Sequence, residues 1–227
     1  MEIRPVAHIR TDFADKFGIP RQSGRVDSLE AVVVFEPEYR DPEALREIEG
    51  FSHLWLIFDF SQAHRDGWSP TVRPPRLGGN RRVGVFASRS PFRPNNLGLS
   101  SVRLVRTEKT ENDGTVLVVA GADLLDGTPI YDVKPYLPFA DSHPDARGGY
   151  ADGEVSHRLS VDDPGHVLDI LPEGKRRAAA DCVAEDPRPS YQDDPERVYG
   201  MTFAGFDLRF CVKGNTAVII SAQKVKN

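Results

Sequence analysis

Apolar residues in the first 140 positions fall into short runs of the length and β-branched content that strands favour. The run at 99–106 alternates between apolar and polar side chains, as one half-buried strand does. Many strands with one or two helices between them predict a β-barrel or a strongly curved mixed sheet, not regular βαβ repeats. The predicted strands are 6–10, 31–35, 51–60, 83–87, 99–106 and 115–120, the last after a turn at 112–114.

One short helix is predicted at 41–48, because Asp41 suits an N-cap and Pro42 suits the first helical position.

A change of pattern after Pro138 predicts a second domain. Residues 141–159 are rich in Gly, Asp and Ser, as linkers are, and residues 160–227 are predicted to form a small α+β domain. Within it, 160–184 is predicted to be helical, 186–189 to stop the helix, and 206–225 to form a hairpin. The fold class is therefore mainly β or α+β, with the barrel in residues 1–140.

The composition indicates a soluble, cytoplasmic protein. No apolar stretch reaches 18 residues, and the first residues lack the charged-then-apolar pattern of a signal peptide. The two cysteines, Cys182 and Cys211, are too far apart for a disulfide framework or a zinc site and are predicted to pack as small apolar residues. No metal site is predicted.

The charge distribution changes this picture. The net charge is −5, yet the segment from Arg73 to Arg106 contains eight arginines and no acidic residue. Such a block in an acidic chain indicates a surface for a polyanion. The alternative is a solvated face whose arginines pair with nearby acids.

Within this block, residues 87–98 follow a predicted buried strand. Pro91 and Pro94 stiffen the segment, and this stiffness would preorganise Arg89 and Arg93 for a ligand. The alternative is a structural turn whose arginines are incidental. The residues alone therefore indicate a rigid basic loop for a polyanion or an adenosine-like ligand.

Asp132, Lys134 and Tyr136 alternate along a further extended segment and would share one face of a strand. They could contact a ligand, or they could form the solvated face of an edge strand.

Several of these segments together resemble one family, the TrmO (YaeB/TsaA-like) proteins. The resemblance runs in order over residues 3–140, and a weaker match covers 186–191. The segments that carry it are Pro20-Arg21-Gln22, Phe51-Ser52-His53-Leu54-Trp55, Arg73-Pro74-Pro75-Arg76-Leu77-Gly78-Gly79-Asn80, Arg89-Ser90-Pro91-Phe92-Arg93-Pro94-Asn95 and Asp126-Gly127-Thr128-Pro129 with Asp132-Val133-Lys134-Pro135-Tyr136.

The resemblance implies a β-barrel methyltransferase, usually a homodimer, that uses S-adenosylmethionine. The implied substrate is the exocyclic N6 nitrogen of threonylcarbamoyl-adenosine, beside the anticodon of a threonine tRNA.

It also implies roles for individual residues. Many relatives have His-Gln where this chain has Ser61-Gln62, which leaves the role of Ser61 open. A base from the anticodon loop would stack on Tyr136, and Asp132 or Tyr136 would accept a proton. The cofactor would be bound by Arg21, Gln22, Ser61, Gln62, Arg89, Leu99, Asp123, Leu124, Asp126 and Gly127. The tRNA would be bound by Arg76, Arg81, Arg82, Arg93 and Lys134.

Two alternative functions follow from the same residues. One keeps the cofactor but changes the substrate, and the other is an RNA-binding module with no cofactor. Binding of S-adenosylmethionine would favour a methyltransferase, and absence of binding would favour the RNA-binding module.

Overall fold

The computed structural model describes residues 2–74, 81–154, 157–189, 192 and 194–225. The described residues up to 140 form eight strands: β1 (Ala7–Arg10), β2 (Glu30–Phe35), β3 (His53–Asp59), β4 (Thr71–Val72), β5 (Val83–Gly84), β6 (Leu97–Thr110), β7 (Gly114–Ala120) and β8 (Pro129–Pro135). Six of them close into an antiparallel barrel in the order β1-β2-β7-β6-β3-β8, and β4 pairs with β5 separately. The predicted fold class is confirmed.

Alternation along the strands explains why the barrel closes around an apolar core. Leu54, Leu56 and Phe58 of β3 face inward and are buried, and Val102 of β6 meets them. Residues between these positions face outward, so Leu99 of β6 is 55% exposed. A period of two therefore places one face in the core and leaves the other face outside the barrel.

Two predicted elements of this half differ from the structure. The run at 83–87 is not a buried strand, because only Val83–Gly84 pairs and Val85–Ala87 forms a 3-10 turn. The main-chain N–H of Val85 donates to Pro70 and that of Ser88 donates to Val85, so these groups are satisfied within turns.

The predicted helix at 41–48 is likewise only a 3-10 turn, Pro42–Leu45. Its predicted cap is correct: the Asp41 side chain accepts from the main-chain N–H of Glu43 at 3.0 Å. The turn ends because Arg46 is extended and Glu47 has a φ of 67°, which a helix cannot continue through.

β8 is not an edge strand, since it pairs with β3 on one side and with β1 on the other. A closed ring has no edges.

The C-terminal part contains a four-stranded sheet covered by a helix. Its elements are α1 (Pro138–Asp141), β9 (Ser160–Asp162), α2 (Glu173–Ala184), β10 (Tyr199–Phe203), β11 (Phe206–Lys213) and β12 (Thr216–Lys224). The strand order is β10-β11-β12-β9, and the hairpin of β11 and β12 is confirmed. The prediction of helix over 160–184 holds for α2 and is wrong for β9, which pairs in parallel with β12. Three residues are too few for a period to show.

Residues 11–29, which connect β1 to β2, pack into the C-terminal core instead of the barrel core. Phe13, Val26 and Leu29 are buried together with residues of α2 and of the C-terminal sheet. The division at residue 140 and the linker at 141–159 remain predictions, and the hydrophobic core itself crosses that division.

Cys182 and Cys211 are both buried and unpaired, as predicted, and burial raises the pKa of the Cys182 thiol. Among the described residues no helix is long and apolar enough to cross a membrane. The same part of the chain holds no group of three or more His, Cys, Asp or Glu side chains placed to bind a metal.

Candidate active site

Residues 88–96, called here the arginine loop, lead from the Val85–Ala87 turn into β6 and are held by their own hydrogen bonds. The Arg93 guanidinium donates to the main-chain oxygen of Ser88 at 2.9 Å. The Asn96 amide donates to the main-chain oxygen of Pro91 at 2.7 Å. These bonds and the two prolines give the loop the stiffness that the sequence predicted.

Arg89 leaves this loop and reaches the connection between β1 and β2. Its Nη1 donates to Oε1 of Gln22 at 2.6 Å. The neighbouring Arg21 donates from Nη2 to the main-chain oxygen of Arg188 at 2.8 Å. Two cations and an amide from distant parts of the chain are thus oriented before any ligand binds.

Asp123, just beyond β7, supplies a carboxyl group to the site. Its Oδ1 accepts from the Ser100 hydroxyl of β6 at 2.6 Å. Burial raises the pKa of Asp123, and the Ser100 hydrogen bond and the positive charge of Arg89 only partly offset this. A carboxylate kept in such surroundings is available to a cationic group or to hydroxyl groups of a ligand.

These residues line one cleft between the barrel and the C-terminal part. Its volume of about 2020 Å³ exceeds the roughly 300–1,000 Å³ of a typical small-molecule pocket, so it has room for a cofactor and part of a larger substrate. Of the residues predicted from the resemblance, the cleft is lined by Arg21, Gln22, Ser61, Gln62, Arg89, Asp123, Leu124, Arg82 and Arg93.

Three predicted cofactor residues stand outside the cleft lining. Leu99 lies on the outer face of β6. Asp126 accepts the main-chain N–H of Thr11 at 2.9 Å, and the N–H of Gly127 donates to Ile9 at 2.8 Å. With a φ of 73°, Gly127 allows the turn that fastens the start of residues 11–29 to β8.

Asp132, Lys134 and Tyr136 also lie outside the lining of the cleft. Asp132 and Lys134 share the outer barrel face with Ile57 and Trp55, their β3 partners, and form an ion pair at 3.1 Å. The Tyr136 ring packs 5.5 Å from that of Trp55, at the end of β3 away from the cleft. Arg81 is exposed and does not line the cleft, whereas the prediction for Arg76 falls outside the described residues.

The sequence did not reveal the contact between a cleft residue, Asp59, and the exposed His64 beside the cleft. Asp59, the last residue of β3, lines the cleft and its Oδ1 lies 2.7 Å from Nε2 of His64. Burial and the charge of Asp59 raise the pKa of Tyr131 nearby. A charged residue ending an apolar run was the available signal, but the partner five positions later was not predictable.

The C-terminal wall of the cleft was also missed. Glu185, Pro187 and Pro189 line it. The sequence identified this segment only as a helix stop and as a weaker part of the resemblance.

The closed antiparallel barrel with a cleft at its side is an architecture different from that of doubly wound α/β proteins. The family profile of the tRNA-methyltransferase O N-terminal domain matches residues 8–142, and that of the TrmO C-terminal domain matches residues 173–225. The class is therefore a β-barrel methyltransferase.

Known proteins and a solved structure are similar to this chain over more than nine tenths of its length. The Escherichia coli protein named tRNA (adenine(37)-N6)-methyltransferase is 40% identical over 219 residues, 93% of each chain. A Pseudomonas aeruginosa protein named a putative S-adenosylmethionine-dependent methyltransferase is 39% identical over 223 residues, covering 92% of this chain and 91% of that one. The solved structure titled TrmO from Pseudomonas aeruginosa superposes with a TM-score of 0.79 at 31% identity, covering 98% of each chain. The chain belongs to the TrmO family, which confirms the predicted resemblance.

The donor set suits S-adenosylmethionine, which carries an anionic carboxylate, a cationic amino group and sulfonium, a ribose diol and an apolar adenine face. Arg21 and Arg89 match the anion, and Asp123 matches the cationic and hydroxyl groups. The buried side chain of Leu124 offers an apolar contact.

Proposed function

We propose that this protein transfers a methyl group from S-adenosylmethionine to the N6 nitrogen of adenosine 37 in tRNA, and that its substrate is the threonylcarbamoyl form of that adenosine, in a threonine tRNA. The observation that carries the proposal is the meeting of Arg21, Gln22, Arg89 and Asp123 in one cleft of a TrmO-family chain. The relatives with matching names support adenosine 37 as the target.

In this mechanism the residues of the chain mainly hold and orient the cofactor and the substrate. Bound S-adenosylmethionine supplies an electrophilic methyl group. Arg89, aimed by Gln22, and Arg21 hold the carboxylate of the cofactor, while Asp123 holds its amino group or ribose hydroxyls. Ser61, Gln62 and Leu124 complete the cofactor site, and Leu99, Asp126 and Gly127 shape its surroundings. Holding the substrate nitrogen within reach of the donated methyl group would be the main source of rate enhancement.

The threonylcarbamoyl group makes N6 less electron-rich and its proton more acidic, so the chain must accept that proton. Asp132 and Tyr136, the residues suggested by the sequence, face outward from the barrel. Within one chain His64 is closer to the cleft: it is not part of the lining, but its neighbours Ala63 and Arg65 are, and Asp59, which lines the cleft, orients its imidazole. His64→Ala is expected to lower kcat while leaving the Kd for S-adenosylmethionine unchanged, and an unchanged kcat would remove His64 from this role.

The tRNA would lie across the arginine-rich side of the cleft. Arg81, Arg82, Arg93, Lys134 and also Arg76 are the proposed phosphate contacts. Trp68 and Phe86 are 56% and 73% exposed, and their ring centroids lie 6.2 Å apart. Exposed aromatic rings among arginines suit the stacking of splayed anticodon-loop bases, a role also proposed for Tyr136. A tRNA substrate also supports a cytoplasmic location.

A homodimer is the proposed assembly. The outer face of β6, β3 and β8 exposes the apolar side chains of Leu97 and Leu99, and Ile57 of β3 pairs with both Leu99 and Asp132. Pairing through this face would cover the leucines and could bring Asp132 and Tyr136 of one copy to the site of another. Light scattering is expected to give twice the chain mass and, for Leu99→Glu, the chain mass. A monomeric unaltered protein would contradict this assembly.

The substrate assignment is tested by identifying the methylated nucleoside. Threonine tRNA that carries threonylcarbamoyl-adenosine is incubated with the protein and labelled S-adenosylmethionine, then digested to nucleosides and analysed by mass spectrometry. The label is expected on N6 of the threonylcarbamoyl-adenosine. Label on another nucleoside would contradict the substrate, and absence of label would contradict methyl transfer to tRNA.

A further inference from the structure

Residues 11–29, the connection that carries Arg21 and Gln22, are built onto the C-terminal sheet. Phe13 is fully buried with its ring centroid 5.4 Å from that of Phe203. The Phe17 ring stacks on Tyr199 at 6.4 Å. At Gly18 a Cβ would collide with the Met201 side chain. This connection therefore takes its shape from the C-terminal part and not from the barrel that it joins.

Polar contacts tie the same connection to α2 and the residue after it. Each joins a side chain of residues 11–29 to one of opposite charge or to a carboxylate, and together they span the length of the helix. They are Asp12 to Lys175 at 2.6 Å, Ser28 to Asp181 at 2.7 Å and Arg25 to Glu185 at 2.8 Å. The two ends of the connection are thus fixed relative to α2.

The segment that follows α2 has a rigid turn of its own. Asp186 adopts a φ of 50°, the left-handed conformation common just past a helix end. Its carboxylate accepts from Nε and Nη2 of Arg188 at 2.8 and 3.0 Å, and Nε2 of His157 lies 2.8 Å from Oδ2. The Arg188 side chain is only 10% exposed, so this two-point pairing is held away from solvent. The flanking Pro187 and Pro189 restrict the turn further.

Pro187 and Pro189 of this turn line the cleft, and the main chain between them contacts a predicted cofactor residue directly. The main-chain oxygen of Arg188 accepts the hydrogen bond from Nη2 of Arg21, and Arg21 lines the cleft. We propose that Arg188 is a positioning residue for the cofactor site: its side chain, paired with Asp186, fixes the carbonyl that orients Arg21 toward S-adenosylmethionine. The C-terminal part is then a component of the cofactor site in this chain. This inference rests on the proposed function, through the placing of the cofactor next to Arg21.

A double-mutant cycle in the full-length protein tests this coupling. The Kd for S-adenosylmethionine is measured by calorimetry for the unaltered protein, Arg21→Ala, Arg188→Ala and the double variant. If Arg188 acts through Arg21, Arg188→Ala weakens binding about tenfold, the loss expected for one charged hydrogen bond, and has little further effect once Arg21 is absent. Additive losses would overturn the proposal.

Two further variants separate positioning from general destabilisation. Arg188→Lys keeps the charge but not the two parallel bonds, so it should weaken binding less than Arg188→Ala and raise KM for the cofactor without lowering kcat. Arg176→Ala is the matched control, since Arg176 also pairs with an aspartate of the C-terminal part, Asp169, outside the cleft lining. Its Kd should equal that of the unaltered protein.

The outcomes distinguish this inference from the function on which it rests. Absence of binding by the unaltered protein would overturn both. Binding that Arg21→Ala weakens and Arg188→Ala does not would overturn the positioning role alone. An equal loss in Arg176→Ala and Arg188→Ala would also overturn it, because the effect would then belong to C-terminal stability.

Discussion

Arg89 and Arg93 stand four positions apart in the arginine loop, yet their guanidinium groups have different roles. Arg89 extends to Gln22 at 2.6 Å across the cleft, whereas Arg93 donates to the main-chain oxygen of Ser88 within its own loop. The sequence shows two equivalent charges flanked by prolines. Only the folded chain distinguishes the arginine that reaches across the cleft from the one that closes the loop.

Arg89→Ala is expected to weaken S-adenosylmethionine binding by at least about tenfold, because it removes a charged partner of the cofactor and releases Gln22. Calorimetry measures this directly. The matched control is Arg106→Ala, since Arg106 pairs with Glu30 and Glu108 on the barrel surface outside the cleft. Undiminished binding by Arg89→Ala would place Arg89 outside the cofactor site.

The ionised side chain of Asp123 is expected to lower the stability of the fold and to strengthen cofactor binding. Because burial raises the pKa of Asp123 in the folded chain, its ionised form costs folding free energy above that pKa. The cost disappears as the pH falls below the pKa of the unfolded chain. Asp123→Asn should therefore unfold at a higher temperature than the unaltered protein at neutral pH, by about 2–4 °C per kcal/mol gained, and not at acid pH. It should also bind S-adenosylmethionine more weakly.

For Asp141 the pKa shift has the opposite sign, and its effect can be measured in the same thermal unfolding experiments. Hydrogen bonds from the Leu137 main chain and from Trp55 lower the pKa of Asp141, so its ionised form stabilises the fold above the unfolded pKa. Asp141→Asn should lower the unfolding temperature at neutral pH and have a smaller effect at acid pH. A lower unfolding temperature for Asp123→Asn at neutral pH would contradict the assignment of Asp123 as a strained carboxylate.

Among the elements, β6 depends on one glycine where it enters the barrel. Gly98 faces inward opposite Phe58, and a Cβ there would overlap the Phe58 ring. Phe58 both packs in the core and lines the cleft. Close packing at this position therefore couples the barrel core to the site.

Gly98→Ala is expected to destabilise the protein by about 1–3 kcal/mol through overpacking and to weaken cofactor binding by displacing the ring. Urea denaturation and calorimetry report the two effects. Gly84→Ala is the control, because a Cβ there meets no atom within 4 Å. Equal behaviour of the two variants would show that Phe58 adapts without cost.

Elements with a clear period were predictable, and elements fixed by distant contacts were not. The apolar run of β3, the alternation of β6 and the hairpin of β11 and β12 all show in the sequence because each strand buries one face. β9 was missed because its three residues are held by pairing with β12. The prediction of a strand over 83–87 was wrong because main-chain hydrogen bonds within neighbouring turns outweigh strand propensity.

The residues of the candidate site also include some that could be predicted and some whose contacts could not. The resemblance predicted Arg21, Gln22, Arg89 and Asp123, which meet in the cleft. It could not predict that Asp126 accepts from Thr11 or that His64 pairs with Asp59, since both contacts are made only by the folded chain. Asp132 and Tyr136 alternate correctly along their strand, but the period does not tell which structure their shared face meets.

Across the whole molecule, positive charge is concentrated on one side of the cleft although the chain as a whole is acidic. The net charge of −5 coexists with an arginine-rich side of the cleft, so the acidic remainder opposes nonspecific contact with RNA while the cleft attracts it. Binding of tRNA should therefore weaken steeply with salt. Arg82→Ala should reduce the slope of log K against log salt by about 0.7–0.9, the value for one phosphate contact, and leave cofactor binding unchanged. An unchanged slope would remove Arg82 from the tRNA contacts.

The C-terminal part completes this arrangement. It shares a hydrophobic core with residues 11–29, which carry Arg21 and Gln22. Under the proposed function, cofactor binding would therefore depend on the whole chain instead of the barrel alone. The cleft is bounded on one side by the barrel and on the other by Glu185, Pro187 and Pro189. Under the proposed function, it would hold the cofactor while the substrate enters from the arginine-rich side.

The central claim, methyl transfer to the N6 nitrogen of threonylcarbamoyl-adenosine 37, is tested most directly by a single-turnover comparison of two tRNAs. One threonine tRNA carries the threonylcarbamoyl group on adenosine 37 and the other is identical without it. Transfer of the labelled methyl group from S-adenosylmethionine is predicted for the first tRNA and not for the second. Equal transfer to both would contradict the substrate, and transfer to neither would contradict the account of the site itself.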